Sequence, residues 1–155
     1  MQVAKPLFDR LVDLEPAEPN EARPRRTMNR EELLESVRLE LERLFGTTSP
    51  LPPSRLVGRE RTTIDYGIPD PVSFSAVNPD HQEVFARLLE KAVAAYEPRL
   101  LAPRIEVLRA TLPGTLELRL AAYLRVDEVK LPIHFPILIR DKEATVRVVP
   151  APERG

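Results

Sequence analysis

Two charged residues beside a proline are the first candidates for chemistry in this sequence. Glu97-Pro98-Arg99 follows an amphipathic stretch, and proline lacks a backbone N–H and disfavours helical geometry in the preceding residue. We therefore expect a helix to end at Tyr96. If residues 97–99 are extended, the carboxylate of Glu97 and the guanidinium of Arg99 point to the same side, because side chains alternate along extended backbone. The spacing alone also fits two solvated charges at a helix end.

Catalytic chemistry has little support in the sequence. A glycosidase needs two carboxylates about 5–9.5 Å apart, and the candidates are Glu97, Asp65 and Asp70. Glu97 stands two residues from Arg99, which favours a charged carboxylate over a general acid. The sequence has no Gly-rich phosphate loop, no Gly-x-Ser-x-Gly and no His-Glu-x-x-His, and its two histidines share no ligand spacing. We expect a protein that is not an enzyme, with no cofactor and no metal site.

Composition narrows the class of protein further. The 155 residues include 23 basic and 24 acidic side chains, for a formal net charge of −1, and no cysteine. The balanced charge gives no footprint for nucleic acid or an anionic membrane, and the lack of cysteine suits a reducing compartment. No signal peptide and no apolar run near the roughly 18–20 residues of a spanning helix are found. We expect one soluble, cytoplasmic domain without membrane insertion.

Two segments have the apolar periodicity of amphipathic helices. Residues 30–45 follow a capping-box-like pair, Asn29 and Glu32, and Gly46 can supply a left-handed stop. The second helix starts at Asn78-Pro79, where a cap residue precedes a proline at the first helical position. The predicted core face of this second helix is formed by Val84, Phe85, Leu88, Leu89, Ala92, Val93 and Tyr96.

After Arg99 the apolar period changes to two, which predicts antiparallel strands. Alternation begins around Ile105 and Val107 and continues in residues 116–126, 129–139 and 144–148. The sequence thus predicts an α+β fold with two main helices packed on one face of a three- to four-stranded antiparallel sheet.

Two prolines, Pro132 and Pro136, interrupt the third predicted strand. Their even spacing places both missing N–H groups toward the same neighbour, so this strand should pair well on one side only. Either residues 129–139 form a sheet edge there, or the strand is bent or bulged.

The main domain is predicted to span residues 29–150, and the regions before and after it are short. Leu7, Phe8 and Leu11 lie at helical spacing, and a proline-rich linker follows, so residues 1–28 are predicted to form a short helix and a linker. Such a helix is too short to be stable alone, and it packs either on its own domain or on a partner. Residues 151–155 are a tail.

The long segment 46–78 is irregular and rich in proline. Within it, Asp65-Tyr66-Gly67 is followed by Ile68. Gly67 can adopt a positive φ, which would turn Tyr66 and Ile68 inward. A loop this long in a small domain is usually functional or ordered by a partner.

The order of these motifs resembles the TssE family of type VI secretion baseplate subunits, which is related to the lysozyme-like wedge protein of contractile phage tails. The resemblance covers about residues 5–150. The stretch 46–58 is longer than the family pattern, which leaves the path of that loop open. The motifs that carry the resemblance are Leu7-Phe8-Asp9-Arg10-Leu11, Ser36-Val37-Arg38-Leu39-Glu40-Leu41-Glu42-Arg43-Leu44, Ile64-Asp65-Tyr66-Gly67-Ile68-Pro69-Asp70 and Glu97-Pro98-Arg99-Leu100.

The resemblance implies a structural role without catalysis. Such proteins bind the other baseplate wedge subunits and initiate assembly of the contractile sheath, and their sheet accepts a strand from a sheath protein. The partner contacts implied by the resemblance are Glu97, Pro98 and Arg99, and the further candidates are Leu7, Phe8, Leu11, Asp65, Tyr66 and Gly67. The rival interpretations are a peptidoglycan-cleaving lysozyme-like enzyme, a generic adaptor and a baseplate wedge protein of a contractile phage tail.

Overall fold

The helices precede the strands of the main sheet in the computed structural model, which describes residues 3–4, 27–74, 78–112, 115–140 and 143–150. The helices are α1 (Arg30–Phe45), α2 (Pro53–Leu56) and α3 (Pro79–Tyr96), and the strands are β1 (Val3–Ala4), β2 (Thr27–Met28), β3 (Leu100–Leu112), β4 (Thr115–Val126), β5 (Val129–Arg140), β6 (Glu143–Val146) and β7 (Val149–Pro150).

Helix α1 begins and ends where its sequence predicts. The side chain of Asn29 accepts from the Glu32 N–H at 2.8 Å, and the Glu32 carboxylate accepts from the Asn29 N–H at 2.8 Å, which completes a capping box. The predicted left-handed stop at Gly46 is wrong, because Gly46 has a φ of −84°. Glycine is still favoured there, since an added Cβ would lie 2.9 Å from the Glu42 carbonyl oxygen.

Helix α3 spans the predicted residues and ends at Tyr96, before the predicted Pro98 stop. Its N-cap, Asn78, accepts from the Asp80 N–H at 3.0 Å. One predicted core residue is wrong, because Val84 is 47% exposed and lines a groove between α2 and α3.

The sheet confirms the α+β prediction. Strands β3, β4, β5 and β6 pair in that order, all antiparallel, and the short β7 pairs with β5 beside β6. Even-numbered residues of β4 and the odd-numbered residues of β5 from Leu131 onward point into the core, where they meet α1 and α3. The core thus lies between one face of the sheet and the two long helices.

The two prolines of β5 behave as expected. Strand β5 pairs with β4 from Val129 to Ile139 without a register shift. On its other side the pairing is split between β6 and β7, and there the Pro136 carbonyl accepts from the Arg147 N–H at 3.0 Å. Both prolines therefore turn the side without an N–H toward β6 and β7, and the prediction of good pairing on one side only is confirmed. The expectation of a sheet edge at residues 129–139 is wrong, because β5 has neighbouring strands on both sides, and its register with β4 shows no bulge.

Strand β3 is longer and less regular than its alternation suggested. It begins at Leu100, directly after the Glu97-Pro98-Arg99 turn, and its register with β4 shifts at three places. Ala102 has a φ of 49° at the first of these shifts. Because bulges break the period of two, the sequence pattern revealed only the part around Ile105 and Val107.

The N-terminal segment is described only at its ends. Val3 pairs with Met28 and Ala4 with Thr27 in a two-stranded sheet. Leu7, Phe8 and Leu11 lie outside the described residues. Whether they pack on this domain or on a partner therefore stays a prediction.

Candidate functional site

The end of α3 holds a buried ion pair, which we call the Glu97–Arg99 clamp. Arg99 Nε donates to Glu97 Oε1 at 2.7 Å, and Arg99 Nη2 donates to Glu97 Oε2 at 2.6 Å. Both carboxylate oxygens are therefore held in the bidentate geometry that makes arginine pairs strong. The Glu97 side chain is 3% exposed and the Arg99 side chain is 21% exposed. The prediction that the two side chains lie together is confirmed.

The backbone that brings the pair together differs from the expectation. Residues 98 and 99 form a turn rather than extended chain, and the Leu100 N–H donates to the Glu97 carbonyl at 3.1 Å. The expected extended geometry was wrong. Instead, the Arg99 N–H also donates to Glu97 Oε1, at 3.2 Å, so the turn itself fixes the carboxylate against the arginine.

A third contact joins the clamp to α1. Arg99 Nη1 donates to Ser36 Oγ at 2.9 Å. Ser36 is itself buried, on the apolar face of α1 beside Val37. The clamp therefore ties the C-terminal end of α3 to the middle of α1. Sequence reasoning missed Ser36, and the one available signal was a polar residue among the apolar positions of that helix face.

A second buried carboxylate organises the turn before Ile68. The Asp65 side chain accepts from the Thr62 hydroxyl at 2.9 Å and from the Thr62 N–H at 3.2 Å. Arg59 Nε lies 3.3 Å from the same carboxylate. Burial raises the pKa of the Asp65 carboxyl, but the Thr62 hydrogen bonds and the charges of Arg59 and Arg61 outweigh it, so this pKa lies below its usual value.

Arg61 and Gly67 complete this turn, which we call the 62–68 turn. Arg61 Nη2 donates to the Asp65 carbonyl at 3.0 Å and also to the Gly67 carbonyl. Gly67 has a φ of 116°, and an added Cβ would lie 2.6 Å from the Thr47 carbonyl oxygen. The predicted positive φ is confirmed. Ile68 is buried and Tyr66 is partly buried, as predicted.

Aromatic contacts connect the 62–68 turn to the clamp. The rings of Tyr66 and Tyr96 meet edge to face with centroids 5.0 Å apart, and the Tyr96 hydroxyl donates to the Thr62 carbonyl. The Arg61 guanidinium lies 5.5 Å from the centre of the Tyr96 ring. Tyr96 immediately precedes Glu97, so the turn and the clamp form one connected unit.

This unit brings together some of the predicted site residues and buries others. Asp65 and Gly67 are buried and bonded within the 62–68 turn, while Pro98 is exposed at the tip of the clamp. We define the clamp surface as Tyr66, Tyr96, Pro98 and Arg99, four partly or fully exposed residues of this unit. Partner binding by any of these residues stays a prediction.

Neither a metal cluster nor a membrane helix is found in the part of the chain that the structure describes. No three or more His, Asp or Glu residues within the described ranges are grouped as metal ligands. No helix among the described residues is both long and apolar enough to cross a bilayer.

The comparison with protein-family models defines the class of protein. The model described as "Baseplate wedge protein gp25" matches residues 31–129, from α1 to the start of β5. The protein is thus a structural component of the baseplate of contractile tail systems. It belongs to the baseplate wedge protein gp25 family, since more than half of the chain is matched. No curated protein matches the chain, and no solved structure matches it either.

Proposed function

We propose that this protein is a baseplate subunit of a type VI secretion system. In this proposal it acts in the cytoplasm, docks on the other wedge subunits through the clamp surface, and initiates the contractile sheath by accepting a strand from a sheath protein. The family membership supports the baseplate role. The resemblance of the motifs to the TssE family supports the assignment to a secretion system.

The clamp is the observation that carries the docking proposal. Its ion pair is buried within the domain and joins α3 to α1, so the exposed Pro98 and the partly exposed Arg99 are held in a fixed position. Preorganised side chains lose little entropy on binding. Arginine and tyrosine, which the clamp surface supplies, are also the residues that dominate binding energy at protein interfaces.

The sheet supports the second part of the proposal. A strand that adds to a sheet edge gains affinity from main-chain hydrogen bonds and specificity from alternate side chains. Within the described residues, β3 pairs with β4 on one side and with no strand on the other. The protein therefore offers an edge of the kind that strand addition requires.

The geometry at Glu97 supports a role without catalysis by this residue. A lysozyme-like acid must reach a glycosidic oxygen, whereas the Glu97 side chain is 3% exposed and both of its oxygens accept from Arg99. Glu97 thus has no free face toward a substrate.

Complex formation tests the proposal. The purified protein is mixed with the wedge subunits and the sheath subunit of its own organism, and the products are resolved by size-exclusion chromatography. We expect a stable complex with the wedge subunits and no release of fragments from purified peptidoglycan. Turnover of peptidoglycan that is lost in Glu97→Gln, or failure to bind any wedge subunit, would overturn the proposal. Capsid genes beside this gene, in place of secretion membrane-complex genes, would assign it to a phage tail.

A further inference from the structure

The sheet has two outer edges, and both are contacted by side chains from the helices above them. The β3 edge lies under α3, and the β6 edge lies beside α1. Edges of this kind invite pairing with other chains, and native proteins usually guard them. The side-chain hydrogen bonds made to the main chain of each edge indicate which edge can accept another strand.

The β6 edge is short, and side chains of α1 occupy its main-chain groups. This strand has four residues, Glu143–Val146. At its end, the Val146 N–H donates to Glu42 Oε1 at 3.1 Å, and the Val146 carbonyl accepts from Arg38 Nη1 at 3.4 Å. Arg38 and Glu42 are also ion-paired with each other. An incoming strand would have to displace both side chains and would gain few main-chain bonds.

The β3 edge is long, and a side chain of α3 bonds its main chain at one residue. This strand has 13 residues, and the Ile105 N–H donates outward to Glu90 Oε1 at 2.9 Å. Main-chain groups alternate in direction along a strand. The Val107 main chain therefore also points outward, and after the register shift between Val107 and Arg109 the Ala110 main chain does so too. No hydrogen bond to these two groups is found in the described part of the chain.

We infer that the β3 edge from Ile105 to Ala110 accepts the guest strand, and that Glu90 occupies the first acceptor site of this edge in the free protein. The inference rests on the strand addition proposed above. The guest is an extended segment of a sheath subunit with apolar residues at alternate positions. Its first carbonyl replaces Glu90 Oε1 at the Ile105 N–H, and its following groups pair with Val107 and Ala110.

The surroundings of Glu90 suit such an exchange. Arg104 Nη1 lies 3.7 Å from Glu90 Oε2, so the released carboxylate keeps a positively charged neighbour. The side chains of Ile105, Val107 and Ala110 face the core and pack against it, so the guest's inward side chains would extend this apolar layer. The bulges of β3 keep the outward ladder short, which limits pairing between free copies.

Two proline substitutions distinguish the edges. Val107→Pro and Ala144→Pro each remove an outward N–H from an edge strand, the position where proline is best tolerated. Ala144 is the matched control. It pairs with Ile139 of β5, and its main-chain N–H points away from β5, toward the outer edge of the sheet. We expect Val107→Pro to weaken binding to the sheath subunit more than about tenfold, and Ala144→Pro to leave it within about twofold. Circular dichroism verifies that both variants fold.

A second pair of variants tests the role of Glu90 without relying on a proline. Glu90→Gln keeps an oxygen that accepts from the Ile105 N–H, whereas Glu90→Leu removes it. We expect Glu90→Leu to bind the sheath subunit up to about tenfold more tightly, because one competing hydrogen bond is lost, and Glu90→Gln to bind within about twofold of the wild type.

The outcomes separate this inference from the proposed function. Loss of binding in Ala144→Pro but not in Val107→Pro would overturn the choice of edge, as would full binding by both folded variants. Unchanged binding by Glu90→Leu would overturn the role of Glu90. If the wild-type protein itself fails to bind the sheath subunit, the proposed strand addition is wrong and the inference fails with it.

Discussion

The protein contains two buried carboxylates beside arginines, and they stabilise the fold in different ways. Glu97 is bonded through both oxygens by Arg99, whose third nitrogen reaches Ser36 on another helix. Asp65 is as deeply buried, but its arginine, Arg59, is 42% exposed and lies 3.3 Å away in one contact. The other bonds of the Asp65 carboxylate come from Thr62, three positions away. The Glu97 carboxylate thus takes part in a tertiary connection, whereas the carboxylate of Asp65 is bonded within its own turn.

The difference matters for what each region can do. A local capping arrangement fixes the shape of one turn, whereas the clamp fixes two helices relative to each other and carries exposed residues at its tip. We therefore expect substitutions of Arg99 to affect both stability and partner binding, and substitutions of Asp65 and Gly67, which are buried inside the turn, to affect mainly stability. The predictions below test this contrast.

The largest loss of stability is expected for Arg99→Ala. It leaves the Glu97 carboxylate, 3% exposed, without its partner, and breaking a buried pair costs about 3–5 kcal/mol. Urea denaturation measures the change in the free energy of unfolding. Arg87→Ala is the control, because Arg87 pairs with Glu83 on the same helix with both side chains more than half exposed, and such pairs contribute about 0–1 kcal/mol. Equal losses in the two variants would contradict the contrast.

Glu97→Ala should be milder than Arg99→Ala. The remaining arginine is 21% exposed, so part of its charge can be hydrated, and we expect a loss of about 1.5–3 kcal/mol. The loss of stability in the double variant should be smaller than the sum of the losses in the two single variants, because both single substitutions remove the same interaction. A greater loss for Glu97→Ala than for Arg99→Ala would show that burial of the carboxylate does not determine the cost of breaking the pair.

Gly67→Ala tests the 62–68 turn against a matched glycine. Gly67 and Gly58 both have positive φ, at 116° and 71°, but only at Gly67 does an added Cβ meet backbone, 2.6 Å from the Thr47 carbonyl oxygen. We expect Gly67→Ala to lose at least about 1 kcal/mol more than Gly58→Ala. Thermal melts of the two variants measure this difference. Identical melting temperatures would mean that the close approach to Thr47 does not constrain the turn.

The smallest effect is expected for Asp65→Asn, and it should depend on pH. The pKa of Asp65 in the folded protein lies below its ordinary value of 3.8. The charged form therefore stabilises the fold at pH values above the ordinary pKa, and this stabilisation is lost as the pH falls through the lower folded pKa. Wild type should melt a few degrees above Asp65→Asn at neutral pH. That gap should close in acid, and a gap that widens in acid would contradict the assignment.

The sequence revealed the elements better than the contacts between them. Helix boundaries followed from Asn29, Asn78 and Pro98 because caps and prolines act over a few residues. The one-sided pairing of β5 followed from the spacing of Pro132 and Pro136, since alternation is a property of the strand alone.

The remaining features depend on the tertiary fold. The partnership of Ser36 with Arg99 joins residues 63 positions apart, and the hydrogen bonds that Glu90 and Glu42 make to the sheet edges join residues 15 and 104 positions apart. No local spacing encodes such contacts. The clamp itself was predicted from an extended backbone and is formed by a turn, because a glutamate and an arginine two residues apart can meet in either geometry.

The most direct test of the proposed docking is the affinity of Arg99→Lys for the wedge subunits, compared with that of Arg87→Lys. Lysine keeps the charge beside Glu97 but cannot reproduce the bidentate fork or the bond to Ser36. The same substitution at Arg87 changes an exposed ion pair with Glu83, within α3. We expect folded Arg99→Lys to bind more than about tenfold more weakly than wild type, and Arg87→Lys to bind like wild type. Wild-type affinity in folded Arg99→Lys would contradict docking through the clamp surface.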